Sequence, residues 1–338
     1  MSQADLRIDP RKALFADEKP LPDIPVVDHY AGSEKLMQKA LALQQALGPI
    51  FDVTCDCEDG AHAGAEAEHA RMAAELIMSD DNRFGRVGAR IHDIAHPHWQ
   101  RDLEILIEHA GSRLAFLTLP KVCSADDALT QIRHARRIEA LRGIARPIPF
   151  HVLIETHGGL REVWRIAAID GVESLDFGLM DFVSAHQGAI MGDAMRSPGQ
   201  FTHPLIVRAK TEIAAAALAH GVIPSHNVTT ELKDASVAHS DALAARRQFG
   251  YLRMWSIHPA QIEAIVTAMR PDFSEVNAAA EILCAAQDCQ WGPTKHEGRL
   301  HDRASYRYYW NLLRRARTTG MTLPADTRER FFEEQARA

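Results

Sequence analysis

The chain has 338 residues, with 38 basic and 45 acidic side chains and a formal net charge of −7. This acidic balance, without a basic stripe, argues against nucleic-acid binding. No stretch approaches the roughly 20 apolar residues that span a bilayer. The charged N-terminus lacks the apolar core of a secretory signal, and the five cysteines are an odd number, so we expect a cytoplasmic protein with free thiols.

Short β-rich runs alternate with longer amphipathic helical stretches along most of the chain, which predicts parallel strands joined by helices. The predicted strands cover residues 24–29, 50–57, 86–91, 114–120, 150–155, 174–180, 222–227 and 252–257. The predicted helices between them cover residues 33–47, 64–78, 99–110, 125–140, 159–168 and 204–220. The predicted fold is therefore α/β: one closed TIM-type (β/α)8 barrel, which commonly spans about 250 residues, with a C-terminal helical cap extension.

The chain outside the barrel forms two further predicted segments. The barrel covers residues 23–270, between an N-terminal arm at 1–22 and a C-terminal cap and tail at 271–338. In the cap we predict a helix ending near residue 289, a loop or small hairpin over 291–302, a helix over 303–317 and a peripheral tail over 318–338. The aromatic stripe of the 303–317 helix must pack on its own barrel or on a neighbouring subunit, and both remain open.

Polar side chains are concentrated where the predicted strands end. In such barrels the carboxyl ends of the strands and the loops after them build the active site. These ends carry Asp28 and His29, Asp56 with Glu58 and Asp59, Arg90 with His92 and Asp93, Lys121, Glu155, Asp181, Ser225 with His226 and Asn227, and His258. Uncompensated charges in a dry site are costly, so this concentration favours a functional rim.

The clearest pair of candidate ligands is Glu155 with Asp181, which close neighbouring predicted strands. Hard divalent cations take oxygen ligands and commonly use one or two carboxylates, so the pair predicts a site for Mg²⁺, with Mn²⁺ as the second choice. The alternative is that these carboxylates pair with arginines or cap the following helices.

Two other groups at the rim carry charge. The acidic turn Asp56–Asp59 requires nearby cations, and Arg90 can bind a substrate carboxylate or serve as the counter-ion of that turn; both roles are compatible. His92, His96 and His98, like His62 and His69, invite comparison with a transition-metal site. We favour that interpretation less, because Pro97 interrupts regular spacing within the first group.

Together these motifs resemble the citrate lyase β-subunit-like enzymes of the HpcH/HpaI aldolase and citrate lyase superfamily, near its malyl-CoA and citramalyl-CoA lyases. The matches are Asp56-Cys57-Glu58-Asp59 with the family's Asp-Leu-Glu-Asp, Arg90 with the arginine of Arg-Val-Asn, Leu119-Pro120-Lys121 with Leu-Pro-Lys, Glu155 with the glutamate of Ile-Glu-Thr, Asp181 with the second metal-binding carboxylate, and Ile257–Ile262 with Ile-His-Pro-x-Gln-Ile. The segment 298–304 is similar to a C-terminal cap that supplies an aspartate to the site of an adjacent subunit.

The resemblance implies specific roles for these residues. It places Mg²⁺ on Glu155 and Asp181, with Arg90 steadying negative charge on the substrate. It implies that Glu58 and Asp59 order metal-bound water and orient Arg90, and that Asp302 supplies a proton. The remaining predicted substrate contacts are Asp56, Met180 and His258. We also expect a homo-oligomer, a trimer or hexamer.

The sequence departs from the family pattern at three places near the predicted metal ligands. The first strand reads Pro25–Gly32 in place of a Val-Pro-Gly-like loop that helps to hold coenzyme A, Arg-Val-Asn becomes Arg90-Ile91-His92-Asp93, and Ala65 and Glu66 stand where a lysine is usual.

These departures leave three functions open. The first is a Mg²⁺-dependent carbon–carbon lyase that cleaves or forms a 3-hydroxyacyl-CoA, such as malyl-, citramalyl- or citryl-CoA, giving a 2-oxo acid and an acyl-CoA. The second is a pyruvate-type aldolase acting on a free oxo or hydroxy acid without coenzyme A. The third is a non-catalytic barrel subunit.

Overall fold

The computed structural model describes residues 9–16, 20–60 and 63–333. The chain divides into two compact units: residues 24–269 form one, and the residues before 24 and after 269 form the other. In this division the described residues of the N-terminal arm fall in the same unit as the C-terminal segment. Within the described ranges, no helix combines the length and the hydropathy that a bilayer span requires.

The first unit is a closed barrel of eight parallel strands in sequence order, in which β8 pairs with β1. The strands are β1 (Val27–Ala31), β2 (Asp52–Asp56), β3 (Val87–Arg90), β4 (Leu117–Leu119), β5 (Phe150–Ile154), β6 (Val172–Phe177), β7 (Ile223–His226) and β8 (Arg253–Ser256). The predicted (β/α)8 barrel is confirmed.

Helices connect the strands on the outside of the barrel. They are α2 (Glu34–Leu47), α3 (Glu66–Met78), α4 (Trp99–Ala110), α5 (Ala125–Arg142), α6 (His157–Arg161), α7 (Val163–Ala167), α8 (Leu179–Ser184), α9 (Gly199–Thr202), α10 (Pro204–Ala219), α11 (Ala235–Phe249) and α12 (Pro259–Met269). The predicted helix at 159–168 is two short helices, because Glu162 between them leaves the helical region with φ −106° and ψ 13°. Side-chain caps at Ser33, Ser124 and Thr156 accept backbone N–H groups and fix three of the helix starts.

The second unit has its own hydrophobic core. It contains α1 (Pro10–Phe15), α13 (Phe273–Asp288), the antiparallel hairpin of β9 (Thr294–His296) and β10 (Arg299–His301), α14 (Arg303–Thr318) and α15 (Ala325–Phe331). Trp310 of α14 stacks on Phe332 with 5.3 Å between ring centroids, and both side chains are buried. The prediction of a peripheral tail after residue 318 is therefore wrong for α15, because Phe331 and Phe332 belong to this core; residues 334–338 lie outside the described ranges.

Charged side chains are buried in the interior of the barrel. We define the interior charge network as Asp28, Asp52, His151, Asp176 and Arg253, each at most 1% exposed. Arg253 Nη2 lies 3.0 Å from Asp28 Oδ2, and its Nη1 lies 2.6 Å from Asp52 Oδ2. The expectation that Asp28 lies at the rim is wrong: it is the second residue of β1, and its charge is matched inside the barrel by Arg253.

Candidate active site

Arg90, the last residue of β3, is held rigidly at the carboxyl end of the barrel. Its Nε and Nη2 donate to the two oxygens of Asp56 at 2.7 and 2.6 Å, and Nη1 lies 3.0 Å from Glu58 Oε2. The guanidinium carbon lies 5.3 Å from the centroid of the Tyr30 ring. A bidentate carboxylate and a second acidic partner fix the plane of the guanidinium, so Arg90 presents a permanent, oriented positive charge.

Asp56 is the anchor for this arginine. Besides Arg90, its carboxylate accepts the backbone N–H groups of Glu58 at 3.1 Å and Gly60 at 2.9 Å. A Cβ at position 60 would lie 2.3 Å from Asp56 Oδ2, so only glycine permits the close approach. Four donors engage the two oxygens, and the structure therefore gives Asp56 a positioning role where the sequence suggested a substrate contact.

Lys121 connects the acidic turn after β2 to Glu155. Its Nζ lies 2.5 Å from Glu58 Oε1 and 3.0 Å from Asp59 Oδ2, while its backbone N–H donates to Glu155 Oε1 at 2.7 Å. Burial disfavours the ammonium, but Glu58 and Asp59 outweigh it and raise the pKa of Lys121. Asp59 therefore pairs with Lys121, and not with Arg90 as the family resemblance implied.

The backbone of Lys121 adopts φ +49°, a left-handed conformation that is uncommon for residues other than glycine. Such strain tends to persist where surrounding contacts fix the backbone, often at functional sites. Here it accompanies a hydrogen bond from the Lys121 N–H to Glu155. The strained residue thus helps to position the proposed metal ligand.

Glu155 directly follows β5 and is 3% exposed. Burial and then the negative charge of Asp181 raise its pKa to about 8, while Arg90 and the Lys121 N–H oppose the shift. A Cβ at position 178 would lie 2.0 Å from Glu155 Oε2, so Gly178 leaves room for the carboxylate. The glutamate is therefore a buried group whose negative charge is only partly compensated.

Asp181 lies in the first turn of α8, because β6 ends at Phe177 and Gly178 begins the turn into the helix. The expectation that it closes a strand is wrong in this detail, although an acidic residue is favourable at a helix N-terminus. Its carboxylate is half-buried and forms no hydrogen bond or ion pair with another described residue.

The Glu155–Asp181 pair fits a hard divalent cation. Both groups offer carboxylate oxygens, which are the ligands that Mg²⁺ and Mn²⁺ prefer. Among the described residues, no arginine and no backbone N–H group at the helix start donates to the oxygens of Asp181. The two charges repel each other, as the raised pKa of Glu155 indicates. A bound cation would remove that repulsion, so the arrangement suits a metal better than the alternative of arginine pairing.

His258 and Met180, the other expected substrate contacts, follow strands β8 and β6 at the same rim. His258 follows β8, and its backbone N–H donates to Gln261 Oε1 at 3.3 Å. Gln261 Nε2 donates in turn to the carbonyls of Thr229 and Glu231 at 2.8 and 3.0 Å, which ties together the segments after β7 and β8. Met180, in the first turn of α8, is 39% exposed and free to meet a ligand.

Asp302 belongs to the second unit, where it is the N-cap of α14. Its carboxylate accepts the N–H groups of Ala304 at 3.1 Å and Ser305 at 3.5 Å, in a capping box completed by the Ser305 hydroxyl. The side chain is exposed. Helix capping alone accounts for an aspartate at this position, and a role as proton donor stays a proposal.

The histidines after β3 come together, but not as a metal site. Among the described residues, the only group with three potential ligand atoms all within 4.8 Å of one another is Asp28, His151 and Asp176 in the barrel interior. His92 and His96 instead stack, with 4.0 Å between ring centroids, and the ring of His98 is tilted against both. His69 contacts the Asp56 carbonyl at 2.9 Å, and His62 lies outside the described residues.

Two residues that shape the site were absent from the predicted site residues. Lys121 was noted at a strand end and in a Leu-Pro-Lys match, but nothing in the sequence shows its left-handed backbone or its three acidic partners. Gly178 precedes a helix start, where a glycine has several ordinary explanations. Its importance follows only from the 2.0 Å distance to Glu155 Oε2.

The fold and the site define a class: a (β/α)8-barrel enzyme whose mouth combines the Glu155–Asp181 carboxylate pair with an anchored arginine. The family model for HpcH/HpaI aldolase/citrate lyase matches residues 35–259. The chain belongs to this family, and it is a carbon–carbon lyase of the aldolase and acyl-CoA lyase type.

Curated relatives support the same assignment. The L-malyl-CoA/β-methylmalyl-CoA lyase of Cereibacter sphaeroides is 29% identical over 292 residues, covering 82% of this chain and 91% of the relative. The malyl-CoA/β-methylmalyl-CoA/citramalyl-CoA lyase of Chloroflexus aurantiacus is 24% identical over 278 residues, covering 76% and 78%.

Solved structures include one with high similarity. A citrate lyase from Burkholderia xenovorans LB400 is 56% identical, with a TM-score of 0.82, covering 96% of this chain and all of the other. The CitE protein of Mycobacterium tuberculosis, in complex with magnesium, acetoacetate and coenzyme A, is 22% identical with a TM-score of 0.64, covering 87% and 98%. The second comparison supports the fold alone.

Proposed function

We propose that this protein is a Mg²⁺-dependent lyase that cleaves or forms a 3-hydroxyacyl-CoA, such as malyl-, citramalyl- or citryl-CoA, yielding a 2-oxo acid and an acyl-CoA. The observation that carries the proposal is the Glu155–Asp181 carboxylate pair beside the anchored cation of Arg90. The relatives named malyl-CoA and citramalyl-CoA lyases support the substrate class. Mn²⁺ offers the same coordination chemistry and is the alternative metal.

Each side chain has a role in this proposal. Glu155 and Asp181 would hold the cation, which supplies Lewis acidity toward the carboxylate and the hydroxyl or keto oxygen of the substrate when bound. Arg90 binds negative oxygen on the substrate, in a plane that Asp56 and Glu58 fix. Lys121 keeps Glu58 and Asp59 in place.

Further assignments rest on the family resemblance. Met180 and His258 would contact the substrate from the rim, and Glu58 and Asp59 would order water beside the cation. Asp302 would donate the proton that the enolate product requires. We also propose a cytoplasmic homo-oligomer, a trimer or hexamer; five free cysteines agree with a reducing compartment. Light scattering measures the oligomer directly.

A second candidate is an aldolase acting on a free oxo or hydroxy acid. The first-strand segment favours it, because Pro25–Gly32 stands where a Val-Pro-Gly-like loop is usual. An acidic residue in this segment would be a poor ligand for the phosphates of coenzyme A, but the structure places Asp28 elsewhere. Asp28 is buried against Arg253, so its charge does not face a phosphate at the rim.

The decisive experiment is a screen of malyl-, citramalyl- and citryl-CoA with Mg²⁺, with release of glyoxylate, pyruvate or oxaloacetate as the readout. The corresponding free acids form the matched arm, and EDTA forms the metal-free arm. Turnover of a thioester that EDTA stops supports the lyase. Turnover of free acids alone would favour the aldolase, and no turnover in any arm would favour a non-catalytic subunit.

A further inference from the structure

The histidine that replaces the family's asparagine after Arg90 is placed like an acid–base group. His92 lies two residues beyond the end of β3. Glu58, which forms an ion pair with Arg90 at the mouth, is among the acidic groups whose charge acts on the His92 ring. The His92 side chain is 10% exposed.

Asp102 fixes the orientation of this ring. The aspartate lies in the first turn of α4, is fully buried, and has its Oδ2 2.6 Å from His92 Nδ1. The same oxygen accepts the His92 backbone N–H at 3.0 Å. A carboxylate bonded to Nδ1 keeps the proton on that nitrogen in the neutral ring, so Nε2 carries the lone pair.

The surroundings of this ring favour its charged form. Burial disfavours the imidazolium, but the hydrogen bond and charge of Asp102 outweigh it and raise the pKa of His92. Burial and the neighbouring histidines lower the pKa of His96, which stacks on His92 at 12° between ring planes. The charged or titratable groups that face His92 are Asp102 from α4, Glu58 from the turn after β2, Glu66 from α3, and His96 and His98 from its own loop.

We propose that His92, oriented by Asp102, is the base that accepts the hydroxyl proton of the substrate in the cleavage direction; this rests on the proposed lyase function. The hydroxyl proton moves to Nε2, and the O–H electron pair forms the carbonyl of the 2-oxo acid. The carbon–carbon bond breaks, and its electron pair passes to the thioester half as an enolate. A second proton donor converts the enolate into the acyl-CoA, and the imidazolium returns its proton to water.

The test compares His92→Gln with His96→Gln in the full-length protein with Mg²⁺. Glutamine keeps polar contacts but cannot carry the proton, so we expect kcat of His92→Gln to fall by about 10²- to 10⁴-fold with little change in KM. His96 stacks on His92, but its ring forms no hydrogen bond with an aspartate among the described residues, so His96→Gln is the matched control. Its kcat should stay within about threefold of wild type, a far smaller change than the loss of a general base causes. Binding of Mn²⁺, followed by electron paramagnetic resonance, should be the same in both variants.

The pH profile separates a proton carrier from a structural histidine. In wild type, the cleavage rate should rise with pH through an apparent pKa above 6.5, because the neutral ring is the active form. Asp102→Asn removes the charge that raises this pKa, so the limb should move to lower pH. In His92→Gln the limb should vanish. In His92→Gly, added imidazoles should restore turnover with a rate that depends on their own pKa.

The outcomes distinguish this inference from the function on which it rests. An active wild type whose rate and pH limb survive in His92→Gln overturns the role of His92 and leaves the lyase intact. A wild type without turnover overturns both. A third outcome is that His92→Gln loses activity, while Asp102→Asn does not shift the pH limb and imidazoles do not restore turnover to His92→Gly. His92 would then be a structural residue.

Discussion

The barrel contains two layers of charged side chains, one in its interior and one at its mouth. In the interior charge network, one guanidinium forms ion pairs with two carboxylates, His151 lies between Asp28 and Glu173, and Asp176 Oδ2 has no hydrogen-bond partner among the described residues. At the mouth, the arginine is also anchored, yet the Asp181 carboxylate has no partner among the described residues. Buried charges are normally paired. The unpaired charge at the mouth lies on a half-buried side chain, so we expect the inner layer to contribute mainly to stability and the outer one to bind a ligand.

The largest expected effect is the loss of turnover in Glu155→Gln. The change is nearly isosteric, but it removes one negative ligand of the proposed cation, and metal assistance is worth several kcal/mol. We expect kcat/KM to fall about 10³-fold or more, with the free energy of unfolding unchanged or increased, because a buried uncompensated charge is removed. Steady-state kinetics and urea unfolding measure the two quantities. Retained Mg²⁺-dependent turnover would contradict the assignment of Glu155 as a ligand.

The inner layer should respond in the opposite way. Arg253→Met leaves Asp28 and Asp52 buried without their cation, so we expect a loss of about 3–5 kcal/mol in the free energy of unfolding. Turnover per folded molecule should stay close to that of wild type. Arg101→Met is the matched control: this arginine pairs with Glu104 on an exposed surface at 2.9 Å and should cost less than about 1 kcal/mol. Equal effects of the two changes would remove the distinction between the layers.

The interior network also predicts a pH dependence of stability. Burial opposes charge on His151, but the carboxylate of Asp28, 3.8 Å from its Nδ1, and that of Glu173, 3.4 Å from its Nε2, raise its pKa to about 9. A folded-state pKa above the unfolded value of about 6.5 contributes stability that is complete below the unfolded pKa and is lost as pH rises through 9. The difference in unfolding free energy between wild type and His151→Gln should shrink by about 3 kcal/mol between pH 6 and pH 10. A difference that does not vary with pH would show that His151 is neutral in the folded protein.

The smallest expected effect is a loss of metal affinity when an added methyl group at position 178 crowds Glu155. In Gly178→Ala the added Cβ must displace Glu155, whose Oε2 would lie 2.0 Å away. Misplacing a ligand by such a contact should lower metal affinity about 10- to 100-fold, as changes beside a metal commonly do. Gly192→Ala is the control, because its Cβ would meet nothing within 4 Å. Calorimetric titration with Mn²⁺ compares the two; equal affinities would exclude a role of Gly178 in positioning Glu155.

The sequence predicted the barrel well because its signals are local and repeated. Alternating strand and helix patterns placed all eight strands to within about three residues, and the hairpin and the helix that begins at Arg303 were also expected. Ordered motifs located Arg90, Glu58 and Glu155. Asp181 was placed on a strand because the apolar run continues through Met180, whereas the chain turns into α8 after Gly178.

The interior charge network could not be inferred in the same way. Asp28, His151 and Arg253 come from strands β1, β5 and β8, and their pairing depends on the register across the closed barrel. A polar residue near a strand end has the same local appearance whether it faces the rim or the interior. Three-dimensional closure decides which of these charges are matched.

A crystal of the protein soaked in Mn²⁺ tests the central claim most directly, because anomalous scattering locates the ion. We predict a peak between the carboxylates of Glu155 and Asp181 that is absent from crystals of Glu155→Gln. The interior group of Asp28, His151 and Asp176 should hold no ion, since Arg253 already lies 3.0 Å from Asp28 Oδ2. A peak in that interior group, or none at the mouth, would contradict the account.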